Sequence, residues 1–226
     1  TAMMFYLNKN DEAGTIRRQE WIDIGKKHNV PLFNDAAADV PPADRLGGYV
    51  KEGFDLVAFS GGKGLRGPQC SGLLLGRKDL IEAAFLNGSP HSDTIGRGAK
   101  VGKEEIVGLW TAIEHYMKRD HRAEWKEWES RVQYIASQLS GLRGVKTQMF
   151  VPEIANETPH LRVEWDEKVI PMKNGQAAKM LRDGDPRIEL RPSAADKPMV
   201  EVAVWMLLPG EERPVARRLR EVLKPA

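Results

Sequence analysis

The chain has 226 residues, enough for one large domain or a medium domain with a smaller companion. Apolar residues make up 41% and charged residues 29%, and the formal net charge is +2, an ordinary globular balance without the basic excess of a dedicated nucleic-acid binder. The single cysteine, Cys70, excludes a disulfide framework or a Cys-rich zinc site within one chain and fits a reducing, cytoplasmic compartment; no apolar run approaches the roughly 18 residues of a membrane helix, and no signal-peptide pattern opens the chain.

Residues 2–7 read as a buried strand at the very start, so further residues are expected upstream of Thr1. Residues 15–28 read as a helix with Ile16, Trp21, Ile22 and Ile24 on its apolar side. Residues 31–35 form a strand that ends in an acid, Asp35, and residues 56–60 form another. Residues 71–75 form a third, closed by Gly76. This alternation predicts an α/β domain with a mostly parallel sheet, whose ligands sit at the carboxyl ends of the strands. Asp35 and Ser60-Gly61-Gly62-Lys63 both lie at such ends. A glycine-rich loop at 86–102 carries Arg97 and Lys100. Residues 103–139 are helical but too long for one ordinary helix, and a bend is predicted near Arg119 to His121. Its tryptophans, Trp110, Trp125 and Trp128, need packing partners, which suits a segment joining two domains. From 145 onward the pattern becomes α+β. Strands are predicted at 145–151, 161–165, 188–191 and 200–207, with helices at 175–182 and 211–223. The expected division is 1–102 for a large domain, 103–143 for a linking helical region and 144–226 for a small C-terminal domain. No internal repeat or low-complexity segment is visible.

The chemistry concentrates at Asp55-Leu56-Val57-Ala58-Phe59-Ser60-Gly61-Gly62-Lys63-Gly64-Leu65-Arg66-Gly67-Pro68-Gln69. A strand delivers a lysine into a turn rich in glycine, which permits close backbone approach or positive φ. A lysine amine withdrawn from water can form a Schiff base with a cofactor aldehyde, and Ser60 can bind a phosphate oxygen. Taken alone, the turn could equally be a surface turn. A P-loop does not fit, because Gly64 follows Lys63 where Ser or Thr is required. Asp35 shifts the balance. It ends an apolar strand and is followed by Ala36, Ala37 and Ala38, which leave space for a flat ring. A carboxylate beside a pyridine nitrogen keeps that nitrogen protonated, and the protonated ring is an electron sink for a carbanion at a substrate Cα.

Asn34-Asp35-Ala36-Ala37-Ala38 followed by Phe59-Ser60-Gly61-Gly62-Lys63-Gly64-Leu65-Arg66-Gly67-Pro68-Gln69-Cys70-Ser71-Gly72 resembles the fold-type I pyridoxal-phosphate enzymes, and among them the selenocysteine synthase-like branch. The phrase Ser-Gly-x-Lys-x-Leu-x-Gly-Pro-Gln carries most of the specificity. Arg97 to Glu105 is similar to the branch's loop before its long helix. The resemblance is strong over 30–110 and loose after 145. It implies pyridoxal 5'-phosphate as cofactor, with Lys63 as the aldehyde-bound amine and Cα acid/base. Asp35 would be the ring-nitrogen partner, Ala37 part of the ring's bed and Ser60 a phosphate contact. It further implies a segment N-terminal to Thr1 that completes the site, so this segment alone is expected to bind cofactor poorly. A homodimer or larger homo-oligomer is implied as well. The expected activity is an ammonia-lyase or dehydratase type of elimination on an amino acid or amino-sugar acid. The alternatives are selenium transfer on seryl-tRNA, disfavoured by the near-neutral charge, and racemisation or transamination on the same fold.

Weaker candidates remain. Arg97 and Lys100, near His91, could hold a substrate phosphate or carboxylate; the alternative is a solvated basic loop. Arg191 could reach a substrate carboxylate, or sit in a surface salt bridge. His28, His115, His121 and His160 lack metal-ligand spacing. Cys70 is expected to be a small packed residue.

Overall fold

The computed structural model describes residues 1–190 and 196–224. The chain divides into two compact units, the first comprising Thr1–Arg119 with Glu153–Glu157, the second Asp120–Pro152 with Thr158–Ala226. Arg191 lies outside the described residues.

The first unit is built on a four-stranded sheet in the order β1 (Met4–Leu7), β2 (Leu32–Asp35), β3 (Leu56–Ser60), β4 (Gly72–Gly76). The first three strands are parallel and β4 is antiparallel to β3. The crossovers explain the difference. Between β1 and β2 runs α1 (Arg18–Lys27), and between β2 and β3 runs α2 (Arg45–Glu52), each carrying the chain back to the starting edge. No helix lies between β3 and β4, so the chain turns directly and returns antiparallel. Helices α2, with Gly47 and Gly48 among its eight residues, and α3 (Lys78–Leu86) are not among the elements expected from sequence.

Successive side chains of a strand point to opposite faces. Met4, Tyr6, Leu32, Asn34, Val57 and Phe59 therefore share one face, and it is buried apart from the half-covered Met4. Ile22 of α1 and Tyr49 of α2 are buried in the same core cluster. Gly25 permits the close approach of α1, because a Cβ there would lie 2.5 Å from Leu32 Cδ2. Each fully buried Leu, Ile or Phe contributes about 1.5–3 kcal/mol. The opposite face carries Phe5, Leu7, Phe33, Asp35, Ala58 and Ser60, and it is open: Phe5 is 54% exposed and Leu7 40%. Sheets with parallel strands are ordinarily covered on both faces.

The long helical region is two helices, α4 (Lys103–Met117) and α5 (His121–Leu139). The break falls where it was predicted. Asp120 accepts hydrogen bonds from the Arg122 and Ala123 amides and thereby starts a new helix. The tryptophans divide. Trp128 is buried in the second unit's core and Trp125 packs partly against it. Trp110 of α4 departs from the expected packing: it is 69% exposed, beside the exposed Ile106, Val107 and Met117.

The second unit is a three-stranded antiparallel sheet, β5 (Val145–Phe150), β6 (His160–Trp165), β7 (Met199–Ala203), with α5, α6 (Asn174–Arg182) and α7 (Glu212–Val222). Leu161, Val163 and Trp165 alternate inward on β6, while Arg162 faces Glu201 across the ladder at 2.9 Å. Trp128, Val132, Ile135 and Leu139 recur at helical spacing on α5 and close the core with Val215, Ala216, Leu219 and Val222 of α7. The predicted strand at 188–191 is not found over its described part. Ile188 and Leu190 pack against the core, but the Ile188 amide bonds the Leu181 carbonyl at the end of α6 instead of a ladder partner. The last strand ends at Ala203 because Val204 to Leu207 folds into a turn, with the Leu207 amide on the Val204 carbonyl. Among the described residues no helix is long and apolar enough to cross a membrane.

Candidate active site

Asp35 is the last residue of β2, and its register partners are Leu7 of β1 and Ala58 of β3. Pairing continues one step past the ladder, with the Ala36 amide on the Ala58 carbonyl and the Ser60 amide on the Ala37 carbonyl at 3.4 Å. Asp35, Ala37, Ala58 and Ser60 thus share one sheet face at the carboxyl ends of adjacent parallel strands. One Asp35 oxygen accepts the Ala37 amide at 3.0 Å, which orients the carboxylate along the turn.

Lys63 follows on the loop that leaves β3. The backbone of this loop is tied at several points. The Gly61 amide bonds the Ser71 carbonyl, the Gly67 amide bonds the Gly61 carbonyl, and the Arg66 amide bonds the Lys63 carbonyl. The Gln69 side-chain amide donates to the Gly62 carbonyl. Leu65 is buried and anchors the loop to the core. The glycines answer to packing rather than to positive φ. A Cβ on Gly64 would sit 1.7 Å from the Val40 carbonyl oxygen, and one on Gly61 would sit 2.1 Å from Ser71 Oγ. The left-handed position belongs to Arg66, at φ 59°. The Lys63 side chain does not follow the loop inward. It is exposed, contrary to a lysine withdrawn from water, whereas Asp35 and Ser60 are half-buried.

Arg97 and Lys100 are exposed, and Arg97 donates to the Ser89 carbonyl. Cys70 is exposed on the loop after Lys63, which corrects the packed reading; Pro68 and Gln69 carry it outward before β4 begins.

Sequence reasoning missed a buried polar cluster directly behind the Asp35 turn. Asn8, Asp39 and Tyr49 are at most 1% exposed. Asn8 Nδ2 donates to Asp39 Oδ2 at 2.5 Å and to the Tyr49 hydroxyl at 2.9 Å, and that hydroxyl donates to Asp39 Oδ2 at 2.9 Å. Arg18 donates to Asn8 Oδ1, and the guanidiniums of Arg18 and Arg45 lie 5.3 and 5.4 Å from the Tyr49 ring centre. Burial, and next the neighbouring Asp39 charge, push the Tyr49 hydroxyl above its ordinary range, so it remains a donor. Arg45 grips Glu157 with two hydrogen bonds, and the Asn156 amide bonds the Ala38 carbonyl. Polar side chains at strand ends give no sign of burial until the crossover helices cover them.

By residue type the set fits pyridoxal phosphate: a carboxylate at the tip of β2, a run of alanines after it, a hydroxyl at the end of β3 and an exposed lysine amine on the loop that follows. A family model described as "SelA: L-seryl-tRNA selenium transferase" matches residues 13–128, just over half of the chain. A D-glucosaminate-6-phosphate ammonia lyase of Salmonella typhimurium is 26% identical over 228 residues, covering 100% of this chain and 58% of that protein. A 5'-C-glycyluridine monooxygenase-decarboxylase of a Streptomyces species is 30% identical over 226 residues, covering 99% of this chain and 54% of that protein. A solved structure of D-glucosaminate-6-phosphate ammonia-lyase superposes with a TM-score of 0.74 at 25% identity, over 99% of this chain and 57% of that one. The chain spans a little over half the length of the curated relatives it matches. Its architecture is that of the fold-type I pyridoxal-phosphate enzymes, and it belongs to the L-seryl-tRNA selenium transferase family of pyridoxal-phosphate-dependent enzymes.

Proposed function

We propose that the protein carrying this chain is a pyridoxal-phosphate lyase that eliminates ammonia from an amino acid or amino-sugar acid. The observation behind this reading is the placement of Asp35 at the tip of β2 and the Lys63 loop at the tip of the adjacent parallel β3. Pyridoxal phosphate, when bound, supplies an electron sink for charge developing at the substrate Cα. Asp35 holds the proton on the ring nitrogen, Ser60 offers its hydroxyl to the phosphate, and Ala37 leaves room beside the ring. Lys63 would hold the cofactor through its amine and would act as the acid/base at the substrate Cα. A β-hydroxyl then leaves as water, and hydrolysis returns a water, so a β-hydroxy-α-amino acid yields an α-keto acid and ammonia. Arg97 and Lys100 would hold a substrate phosphate or carboxylate. A cytoplasmic setting accords with the lone cysteine. A homo-oligomer accords with the exposed apolar row of α4, Ile106, Val107, Trp110 and Met117.

The test is a visible absorption spectrum of the full-length protein, followed by borohydride reduction and peptide mapping. A band that disappears on reduction, with the label on Lys63, is expected, and an ammonia-release screen then identifies the substrate. A band unchanged in Lys63→Ala defeats the cofactor assignment. Selenium transfer on seryl-tRNA is the second reading, favoured by the family match over residues 13–128. A gel shift with seryl-tRNA separates the two.

A further inference from the structure

The Asn8–Asp39–Tyr49 cluster has no part in the donor set above, yet it is among the most deeply buried polar groups of the first unit. Burying a carboxylate is costly unless its lone pairs are satisfied, and an apolar trio would pack as well. The position of the cluster explains what it does. Asn8 is the residue that follows β1, and Asp39 closes the turn after β2, its amide on the Ala36 carbonyl at 3.0 Å. Asp35 is the last ladder residue of β2, and Ala37, whose amide holds one Asp35 oxygen, lies on the stretch between it and this anchor. Tyr49 reaches the same oxygen from α2, so two donors, one after β1 and one on α2, meet on Asp39 Oδ2. The Ala38 carbonyl is held in addition by the Asn156 amide.

We propose that Asp39, fixed by Asn8 and Tyr49, is the positioning residue of the Asp35 carboxylate. It clamps the alanine turn to the end of β1 and to α2, and so sets where the Asp35 oxygens stand. The idea rests on the reading of Asp35 as the ring-nitrogen partner. A mispositioned carboxylate holds the ring proton less well, so weakening the clamp changes the cofactor's own titration and not merely the stability of the fold.

The experiment uses the full-length protein loaded with pyridoxal phosphate. It compares wild type, Asp35→Asn, Tyr49→Phe and Asp39→Asn by cofactor dissociation constant, by the pH midpoint of the bound-cofactor absorbance and by melting temperature. Tyr49→Phe keeps the ring over which both guanidiniums lie and deletes one hydroxyl, so it tests the clamp even where Asp39→Asn does not fold. Tyr49→Phe is expected to weaken cofactor binding about tenfold and to move the absorbance midpoint in the same direction as Asp35→Asn, by a smaller amount. If Asp35→Asn alters affinity and midpoint while Tyr49→Phe alters only the melting temperature, the cluster is structural and the positioning role is overturned. If Asp35→Asn itself leaves the midpoint unchanged, the ring-nitrogen reading fails and the positioning role falls with it.

Discussion

The two units spend their apolar residues differently. In the second, α5, α7 and β5 to β7 enclose Val132, Ile135, Leu161, Val163, Leu181 and Leu219, all at most 1% exposed. In the first, Phe5 on the open sheet face is exposed, and so are Phe85, Ile95, Val107 and Trp110 elsewhere in the unit. Among the described residues the second unit exposes no aromatic side chain of that kind; its exposed apolar residues are Met149, Val151, Met180, Met206 and Leu208. The second unit is complete as a core. The first is complete on one face, and its open face is the one that carries Asp35 and Ser60. A fold that presents catalytic groups at strand ends leaves those groups outside the core that positions them.

The largest expected effect is chemical. Lys63→Ala in the full-length protein should lower the ammonia-release rate on the order of a thousandfold, about 4 kcal/mol of barrier. The same variant should melt within a degree or two of wild type, because the side chain is exposed. A large drop in melting temperature would show that the lysine is packed, and the contrast between the units would lose its sharpest case.

Next comes the closed core. Leu219→Ala should cost about 2–5 kcal/mol in urea unfolding, since it empties a buried site between α7 and its neighbours. A cost below about 1 kcal/mol, well under that range, means this unit tolerates a cavity and is not tightly packed. Gly64→Ala should cost about 1–3 kcal/mol, through the clash with the Val40 carbonyl. Unchanged stability there, measured the same way, would mean the Lys63 loop moves freely.

The pH dependence belongs to the buried side of the first unit. Burial alone would raise the Asp11 carboxyl, but hydrogen bonds from the Tyr6 hydroxyl and the Arg18 amide, with the Arg17 and Arg18 charges, hold it below its ordinary value of 3.8. A depressed carboxyl stabilises the folded chain above its unfolded pKa and loses that contribution as pH falls through the folded value. Asp11→Asn should therefore flatten the acid limb of the stability profile below about pH 4. Tyr49 has the opposite sign. Its raised hydroxyl stabilises the fold fully below 10.0, its ordinary value, and the contribution is lost as pH rises beyond it. Tyr49→Phe should flatten the alkaline limb, and an unaltered limb places the titration elsewhere. The smallest effect is expected at the open face of α4, where Trp110→Ala should stay within about 0.5 kcal/mol for this chain.

The placement of the candidate residues at strand ends was legible because strand, turn and residue type coincide. A strand that ends in Asp35 before three alanines, and another that delivers Lys63 between glycines, read correctly as strand ends of one sheet. The antiparallel direction of β4 escaped, although the missing helix between Ser60 and Gly72 is the local reason for it. Lys63 and Trp110 were expected to be covered and are exposed, because cover is supplied by neighbours distant in sequence. Residues 188–190 have strand composition, yet the Leu181 carbonyl captures the Ile188 amide before a ladder can.

The sequence alone determined the alternation of elements, the break at Asp120 and which amine and carboxylate stand as candidates, because these depend on propensity, capping and residue chemistry within a few positions. The tertiary structure alone decided which groups are dry. Asn8, Asp39 and Tyr49 are 31 and 10 positions apart in turn, and they become a buried hydrogen-bonded set only when two crossovers bring β1, β2 and α2 together. Burial is a property of the packed surroundings, and a polar residue's own neighbours in the chain do not specify it.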